Sequence, residues 1–415
     1  MTSKATRREF CRRVAGGTAY AVGGIAGIPW VSLKGSNELA GNSTDLDQTQ
    51  APDGDLLTNP RYAVGAKFRL AQFIQRGADA KDAGAIFGRL TDLEPQRWVD
   101  EWTRLALPCE QKGADFAAQG KSQEAREAYQ KASMYYGVAK FPVINHLAKK
   151  AAYRKCIETY LKAARYFDPP LERVTIPFEG REIVGYLRIP KGVSRPPVVI
   201  ATGGIDVYKE ERDTSDLLEA GLAAFSTDMP GNGECVEWYT ADAGRTYSTV
   251  IDYLEKRDDV DGKRLGIVGR SYGGYWAGKM AYVENQRIRA AVEWGGPVHY
   301  TFQEPWLQHL QEDKLYLWAF LDSMVYAHNV KDIAALREQA PTLSLKTQGW
   351  LDKLSAPMLV VNGAKDPWIT IQDLYLLLES GEPKSARVYP EAGHMGAGAE
   401  TGKLVMSWLK VQLAR

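Results

Sequence analysis

The chain has 415 residues, 45% hydrophobic and 25% charged, with a formal charge of +1, which fits a globular protein of one large or two ordinary domains. No basic field of the kind nucleic acid demands is present. Cys11, Cys109, Cys156 and Cys235 stand at unrelated spacings that suggest neither a disulfide framework nor a zinc site.

The positive charge is concentrated at the start, where Lys4, Arg7, Arg8, Arg12 and Arg13 face Glu9 alone. Thr6-Arg7-Arg8-Glu9-Phe10-Cys11-Arg12 precedes a weakly apolar run from Val14 to Leu33. A consecutive arginine pair, an aromatic residue two places on and a mildly hydrophobic core read as a twin-arginine signal peptide over residues 1–34. This predicts handling by the twin-arginine export machinery and a periplasmic or extracellular destination. Gly16, Gly17, Gly23, Gly24 and Gly27 weaken the alternative of a spanning helix. Residues 35–60, rich in Asn, Ser, Thr, Asp and Gly without periodicity, read as a flexible linker.

Residues 61–168 carry helical spacing and are expected to form a helical cap domain. Phe68, Leu70, Ala71, Phe73 and Ile74 make one apolar cluster, and Trp98, Trp102, Leu105 and Leu107 another. Gly113 to Gly120 followed by Ala125, Ala128, Tyr129, Ala132 and Tyr135 reads as a helical hairpin. No second copy follows at a period of about 34, so a tetratricopeptide array is excluded. A further helix is expected from Val143 to Tyr166.

At Pro169-Pro170 the pattern changes to strands, and residues 169–415 are expected to form the catalytic domain. Arg173–Phe178 and Glu182–Ile189 flank Glu179-Gly180 as a hairpin. Short apolar strands then alternate with helices: Pro196–Gly204, Leu222–Met229, Arg264–Ser271, Ala290–Gly296, Pro357–Gly363 and Ser385–Tyr389. This order predicts an α/β protein with an eight-stranded, mostly parallel sheet of the α/β-hydrolase type. Residues 297–356, rich in Trp, Leu, Phe and Tyr, are too many for a plain crossover and are expected to insert as a lid beside the substrate entrance.

The chemistry centres on Gly269-Arg270-Ser271-Tyr272-Gly273, a G-x-S-x-G sequence between a strand and a helix. That context is the one a nucleophile elbow requires, with the following helix directing its N-terminal amides at the serine. Nucleophilic catalysis also needs a base and a group to orient it. Asp366, after the strand ending at Gly363, and His394, after the strand ending at Tyr389, fall in the order Ser, Asp, His, at strand C-terminal ends where open sheets gather their chemistry. The oxyanion hole is expected from the N–H of Tyr272 and that of Gly204 or Ile205. Of the remaining histidines, His146 falls in the cap, His309 and His328 sit on helical patterns and read as packing or surface residues, whereas His299 could face the pocket. Lys209-Glu210-Glu211, with Asp206, reads either as a solvated turn or as a buried ion pair holding the oxyanion loop.

Beyond the general fold, several stretches resemble one family. Asp168 to Val174 with Gly185-Tyr186-Leu187-Arg188 is similar to its domain junction. Gly203-Gly204-Ile205-Asp206 with Lys209-Glu210-Glu211, Asp228-Met229-Pro230-Gly231-Asn232-Gly233-Glu234 and Gly269 to Tyr275 resemble three further signatures. The family holds the 2,6-dihydroxypseudooxynicotine hydrolases, the fungal pigment hydrolases that shorten polyketides, and the esterases related to the fermentation/respiration switch protein. The resemblance implies a helical cap ahead of the catalytic domain and a serine hydrolase acting on an ester or on a carbon–carbon bond next to a carbonyl. The pigment and nicotine enzymes use an additional acidic residue near the substrate, for which Glu304 stands in the corresponding region without a local match.

These features together predict a carboxylesterase-like serine hydrolase with a small or medium, partly apolar carbonyl substrate and no metal or organic cofactor. A carbon–carbon hydrolase, a serine peptidase lacking the usual propeller, and a non-catalytic scaffold using the helical hairpin are the alternatives. The sequence leaves a homo-oligomer open.

Overall fold

The computed structural model describes residues 54–380 and 384–414. The leader motif and residues 35–53 of the expected linker lie outside the described residues.

Residues 54–60, expected within the linker, form a turn instead. Leu56 is buried, and its N–H donates to the Leu90 carbonyl at 2.8 Å. Five helices follow: α1 (Ala63–Gln75), α2 (Ala80–Phe87), α3 (Pro95–Ala118), α4 (Ser122–Ala139) and α5 (Leu147–Ala164). Pro95 opens α3, where a missing N–H costs nothing, and the Glu94 carboxylate accepts from the N–H groups of Gln96 and Arg97. The sequence reading divides this stretch in two, but α3 runs unbroken through Pro108. Its buried face (Trp98, Val99, Trp102, Ala106, Gly113) offsets the single lost hydrogen bond. Helix α5 begins at Leu147 rather than Val143, because the His146 side chain caps it by accepting from the Ala148 N–H.

An aromatic cluster holds these helices together. Phe73 meets Trp102 at 5.6 Å and Phe141 at 5.3 Å, both edge to face. Trp318, from the segment between the sixth and seventh strands, stands edge-on to Trp98 at 4.5 Å. Part of that segment is therefore core to the helical layer and not a free lid.

Eight strands follow: β1 (Leu171–Phe178), β2 (Arg181–Arg188), β3 (Pro197–Thr202), β4 (Ala223–Thr227), β5 (Asp261–Arg270), β6 (Ile288–Trp294), β7 (Met358–Gly363) and β8 (Lys384–Tyr389). They form one sheet in the order β1-β2-β4-β3-β5-β6-β7-β8. The β1–β2 and β2–β4 pairs are antiparallel, and β3 through β8 pair in parallel. Every residue of β3, β4 and β7 is buried, the signature of parallel strands covered on both faces. One face packs Ile200, Phe225, Ile267 and Trp276, and the other packs Val199, Val268, Val292 and Leu409. Helix α6 (Gly274–Val283) follows the C-terminal end of central strand β5 after one short turn, and α7 (Ala399–Leu413) covers the opposite face. Among the described residues no helix is long and apolar enough to cross a membrane.

Candidate active site

Ser271 sits where β5 ends and a short 3-10 turn leads into α6, and it holds φ at +55°. A non-glycine residue in that region is strained, which here keeps the side chain at the tip of the turn. A Cβ on Gly269 would collide with the Gly273 carbonyl, and one on Gly273 with the Gly203 carbonyl, so both glycines are demanded by close backbone approach.

The structure brings Ser271, His394 and Asp366 together. His394 Nε2 lies 2.8 Å from Ser271 Oγ, and its Nδ1 lies 2.6 Å from Asp366 Oδ2. Asp366 is buried and fully engaged. Its Oδ1 accepts from the Trp368 and Ile369 N–H groups at 2.9 and 3.1 Å, and Oδ2 also accepts from Asn362 Nδ2 at 2.9 Å. The His394 loop is fixed in turn. Asn362 Oδ1 accepts from the Met395 N–H, Trp294 Nε1 donates to the Met395 carbonyl, and the Trp368 ring stands edge-on to the imidazole at 5.2 Å.

Gly204 lies against the nucleophile. Its carbonyl accepts from Asn232 Nδ2 at 2.9 Å and from the Val207 N–H at 3.4 Å. Because a trans peptide directs N–H and C=O oppositely, this clamp turns the Ile205 N–H away from Asn232. Among the described residues neither the Ile205 nor the Tyr272 N–H donates to a protein acceptor. Tyr272 is held from both ends: Tyr239 Oη donates to its carbonyl at 3.0 Å, and its own hydroxyl lies 2.7 Å from His328 Nε2. His328 is thus a buried packing residue, and burial pushes its pKa down to about 3.

The loop from Gly203 to Glu211 is pinned by the helical layer. Arg69 of α1 pairs with Asp206 at 3.2 Å, and Lys140 at the end of α4 donates to the Asp206 carbonyl and pairs with Glu211, both at 2.7 Å. Lys209 is buried, and its ammonium meets Glu210 and Asp228 at 2.9 Å, Glu234 at 2.7 Å and Tyr153 Oη at 3.2 Å. The charged turn is therefore a buried ion cluster. Burial alone would lower the Lys209 pKa, but Asp228, Glu210 and Glu234 outweigh it and the net shift is upward. Burial raises Glu210 and Lys209 only partly offsets it, whereas Asp228 is held below its usual range by Lys209 against the effect of burial.

Ser271 and His394 open onto a cavity of about 370 Å³ whose walls include Arg69, Asp206, Arg270, Tyr316, Phe320 and Trp368. A neighbouring cavity of about 600 Å³ between α4, α5 and the sheet shares Arg76, Glu211, Arg212 and Asp213 with it. Two expected pocket residues lie elsewhere. His299 is absent from the cavity wall because its Nδ1 is taken by Ser344 Oγ at 2.7 Å and its N–H by Asp373 at 2.9 Å. Glu304 points to Arg337 at the surface, so it does not supply an acid beside Ser271. Arg69, Arg270, Asn232 and Trp368 escaped the sequence reading. Only Arg270 and Asn232 left a signal, as neighbours within recognised motifs.

Comparison with known proteins agrees with this architecture. Residues 86–410 match the family model described as Esterase FrsA-like. The chain is 25% identical over 370 residues to the Esterase FrsA of Photobacterium profundum, covering 83% of this chain and 87% of the relative. It is 30% identical over 273 residues to the 2,6-dihydropseudooxynicotine hydrolase of Paenarthrobacter nicotinovorans, covering 65% and 71%. The crystal structure of a 2,6-dihydroxy-pseudo-oxynicotine hydrolase superposes with a TM-score of 0.69 at 25% identity, covering 82% of this chain and 95% of that one. On these grounds the chain is an α/β-hydrolase-fold enzyme and belongs to the FrsA-like esterase family.

Proposed function

We propose that this enzyme is a serine acyl hydrolase acting on a carboxylic ester through Ser271, His394 and Asp366. The observation that carries the reading is the single imidazole bridging Ser271 Oγ and the Asp366 carboxylate at 2.8 and 2.6 Å. His394 takes the Ser271 proton through Nε2, while Asp366 holds Nδ1–H and so selects the useful tautomer. Ser271 Oγ attacks the carbonyl carbon, and negative charge gathers on the carbonyl oxygen near the Tyr272 and Ile205 amides, with Gly204 giving that oxygen room. His394 then protonates the leaving alkoxide. A water activated by the same imidazole attacks the acyl-serine, releasing the acid and restoring the hydroxyl.

Intact mass of the leaderless protein after a fluorophosphonate probe, beside Ser271→Ala, tests this. A single adduct on the wild type alone supports the reading, and its absence on folded protein overturns it. A parallel screen of simple esters against β-diketones separates ester from carbon–carbon hydrolysis. The reading includes export. Replacing Arg7 and Arg8 by lysine in the full chain is expected to retain the protein in the cytoplasm of an expressing bacterium, and unchanged secretion would remove that part.

A further inference from the structure

Arg270 is the residue immediately before Ser271, and its side chain borders the same cavity as Ser271 and His394. Its guanidinium lies over the Trp294 ring with 4.4 Å to the centroid. Stacking on an aromatic face fixes the plane of a guanidinium and leaves its edge, with the N–H fork, free to receive a planar anion. Among the described residues Arg270 has no ion pair, and none of its nitrogens belongs to the sealed, unsatisfied polar atoms of the interior. The other cations on this wall are differently employed. Arg69 is paired with Asp206 and Arg76 with Glu211.

A second guanidinium reinforces the positive potential. Arg212 borders the same cavity, with one nitrogen donating to the Thr227 carbonyl at 2.6 Å. Its Nε and Nη1 are sealed from solvent beneath the Gly203 turn, so it acts by its field and not by contact. Asp213 and Asp216 are near enough to favour the charged form of Arg270, but both are exposed and neither forms an ion pair with it. Water screens such exposed carboxylates. Burial nevertheless pulls the Arg270 pKa down, as expected for a charge without a close counterion.

We infer that Arg270 is an anion-binding, specificity-determining residue, and that the preferred substrate carries a carboxylate that docks on the Trp294-stacked guanidinium while Ser271 attacks the ester carbonyl. This rests on the serine acyl hydrolase reading and adds to it the class of substrate: the monoester of a dicarboxylic acid, or an ester of a hydroxy acid. No change in the bond-making steps is required, because the carboxylate is a spectator bound bidentately.

The test compares matched esters. Mono-4-nitrophenyl adipate against 4-nitrophenyl methyl adipate places the charge on the acyl side, and 3-acetoxybenzoate against 3-acetoxybenzamide places it on the leaving group, with Ser271→Ala giving the background. In one of the two pairs the wild type is expected to favour the anion in kcat/KM by about tenfold or more, as a charge-assisted hydrogen bond allows, and added salt should shrink the ratio. Arg270→Met should bring that ratio close to one, and Arg270→Lys should keep part of it. Thermal shift of Ser271→Ala with adipate, against adipamide, reads the subsite without turnover. Stabilisation by adipate alone, lost when Arg270→Met is added, upholds the subsite even if no ester is cleaved, in which case only the hydrolase reading falls. Equal rates for charged and neutral esters together with equal thermal shifts overturn the inference and leave the hydrolase reading standing. If Arg270→Met does not fold, Arg270→Lys and the salt dependence of the wild-type ratio decide.

Discussion

Gly204 and Ser271 are packed so closely that a Cβ on Gly204 would stand 2.9 Å from the serine Cβ and 3.1 Å from its Oγ. The loop after β3 and the turn after β5 thus touch at the point where the proposed reaction puts the carbonyl oxygen. Gly204→Ala is expected to lower kcat by about 10²-fold, the scale of losing one oxyanion donor. The melting temperature should move little, since only a loop must shift. Steady-state kinetics beside calorimetry checks this, and an unchanged kcat would remove Gly204 from the site.

Asp366→Asn should cost about 10³–10⁴-fold in kcat while preserving the fold. The asparagine Oδ1 can keep the Trp368 and Ile369 N–H bonds that Asp366 Oδ1 now accepts. Its NH₂ group then faces His394 Nδ1 and forces the proton onto Nε2, where the imidazole cannot serve as base. Loss of burst kinetics with an unaltered circular dichroism spectrum is the expected pair of readings.

Glu293, buried on β6 beneath the first turn of α6, accepts from the Gly296 N–H, and burial raises its pKa to about 8. In the unfolded chain it titrates near 4.5. The folded state therefore holds a proton that the unfolded state releases, and this stabilising contribution is lost as pH rises from about 5 to about 8. The slope is about 1.4 kcal/mol per pH unit at most. Urea unfolding at a series of pH values should show this decline in the wild type and a flatter profile in Glu293→Gln. A wild type equally stable at pH 5 and pH 8 would refute the assignment.

Lys209→Met removes the cation from a cluster in which the Lys209 and Glu210 side chains are 0% exposed. Stranding the carboxylates is expected to cost about 3–5 kcal/mol of unfolding free energy. Glu210 is the partner whose carboxyl already resists ionisation, so Glu210→Gln added to Lys209→Met should recover part of the loss. Equal stability of the single and double variants would argue against coupling within the cluster.

Much of this molecule is legible in the chain because its signals are local. Continuous apolar runs such as Pro197–Thr202 and Met358–Gly363 can only be covered strands, and a glycine-framed serine between strand and helix can hardly be anything but a tight turn. The order Ser271, Asp366, His394 follows from counting strands, because each of the two later residues lies in the loop that follows one. Local periodicity also marks Trp98 and Trp102 as one helical face.

Tertiary packing alone decided the remainder. Whether Lys209 is solvated depends on Tyr153 of α5 and on Asp228 and Glu234 of the loop after β4 closing around it from two other segments. Trp318 joins the helical core only because residues far apart in sequence are brought face to face. His299 and Glu304 follow the C-terminal end of β6, the strand beside β5, yet Asp373 and Arg337 draw them elsewhere. Arg270 is visible as a letter inside a motif, but that it stands beside the nucleophile without an ion pair among the described residues is a property of its surroundings. Sequence specifies which elements form, through propensity and period. Which charges meet is settled by three-dimensional packing, where burial and partner distance fix the energy of each group.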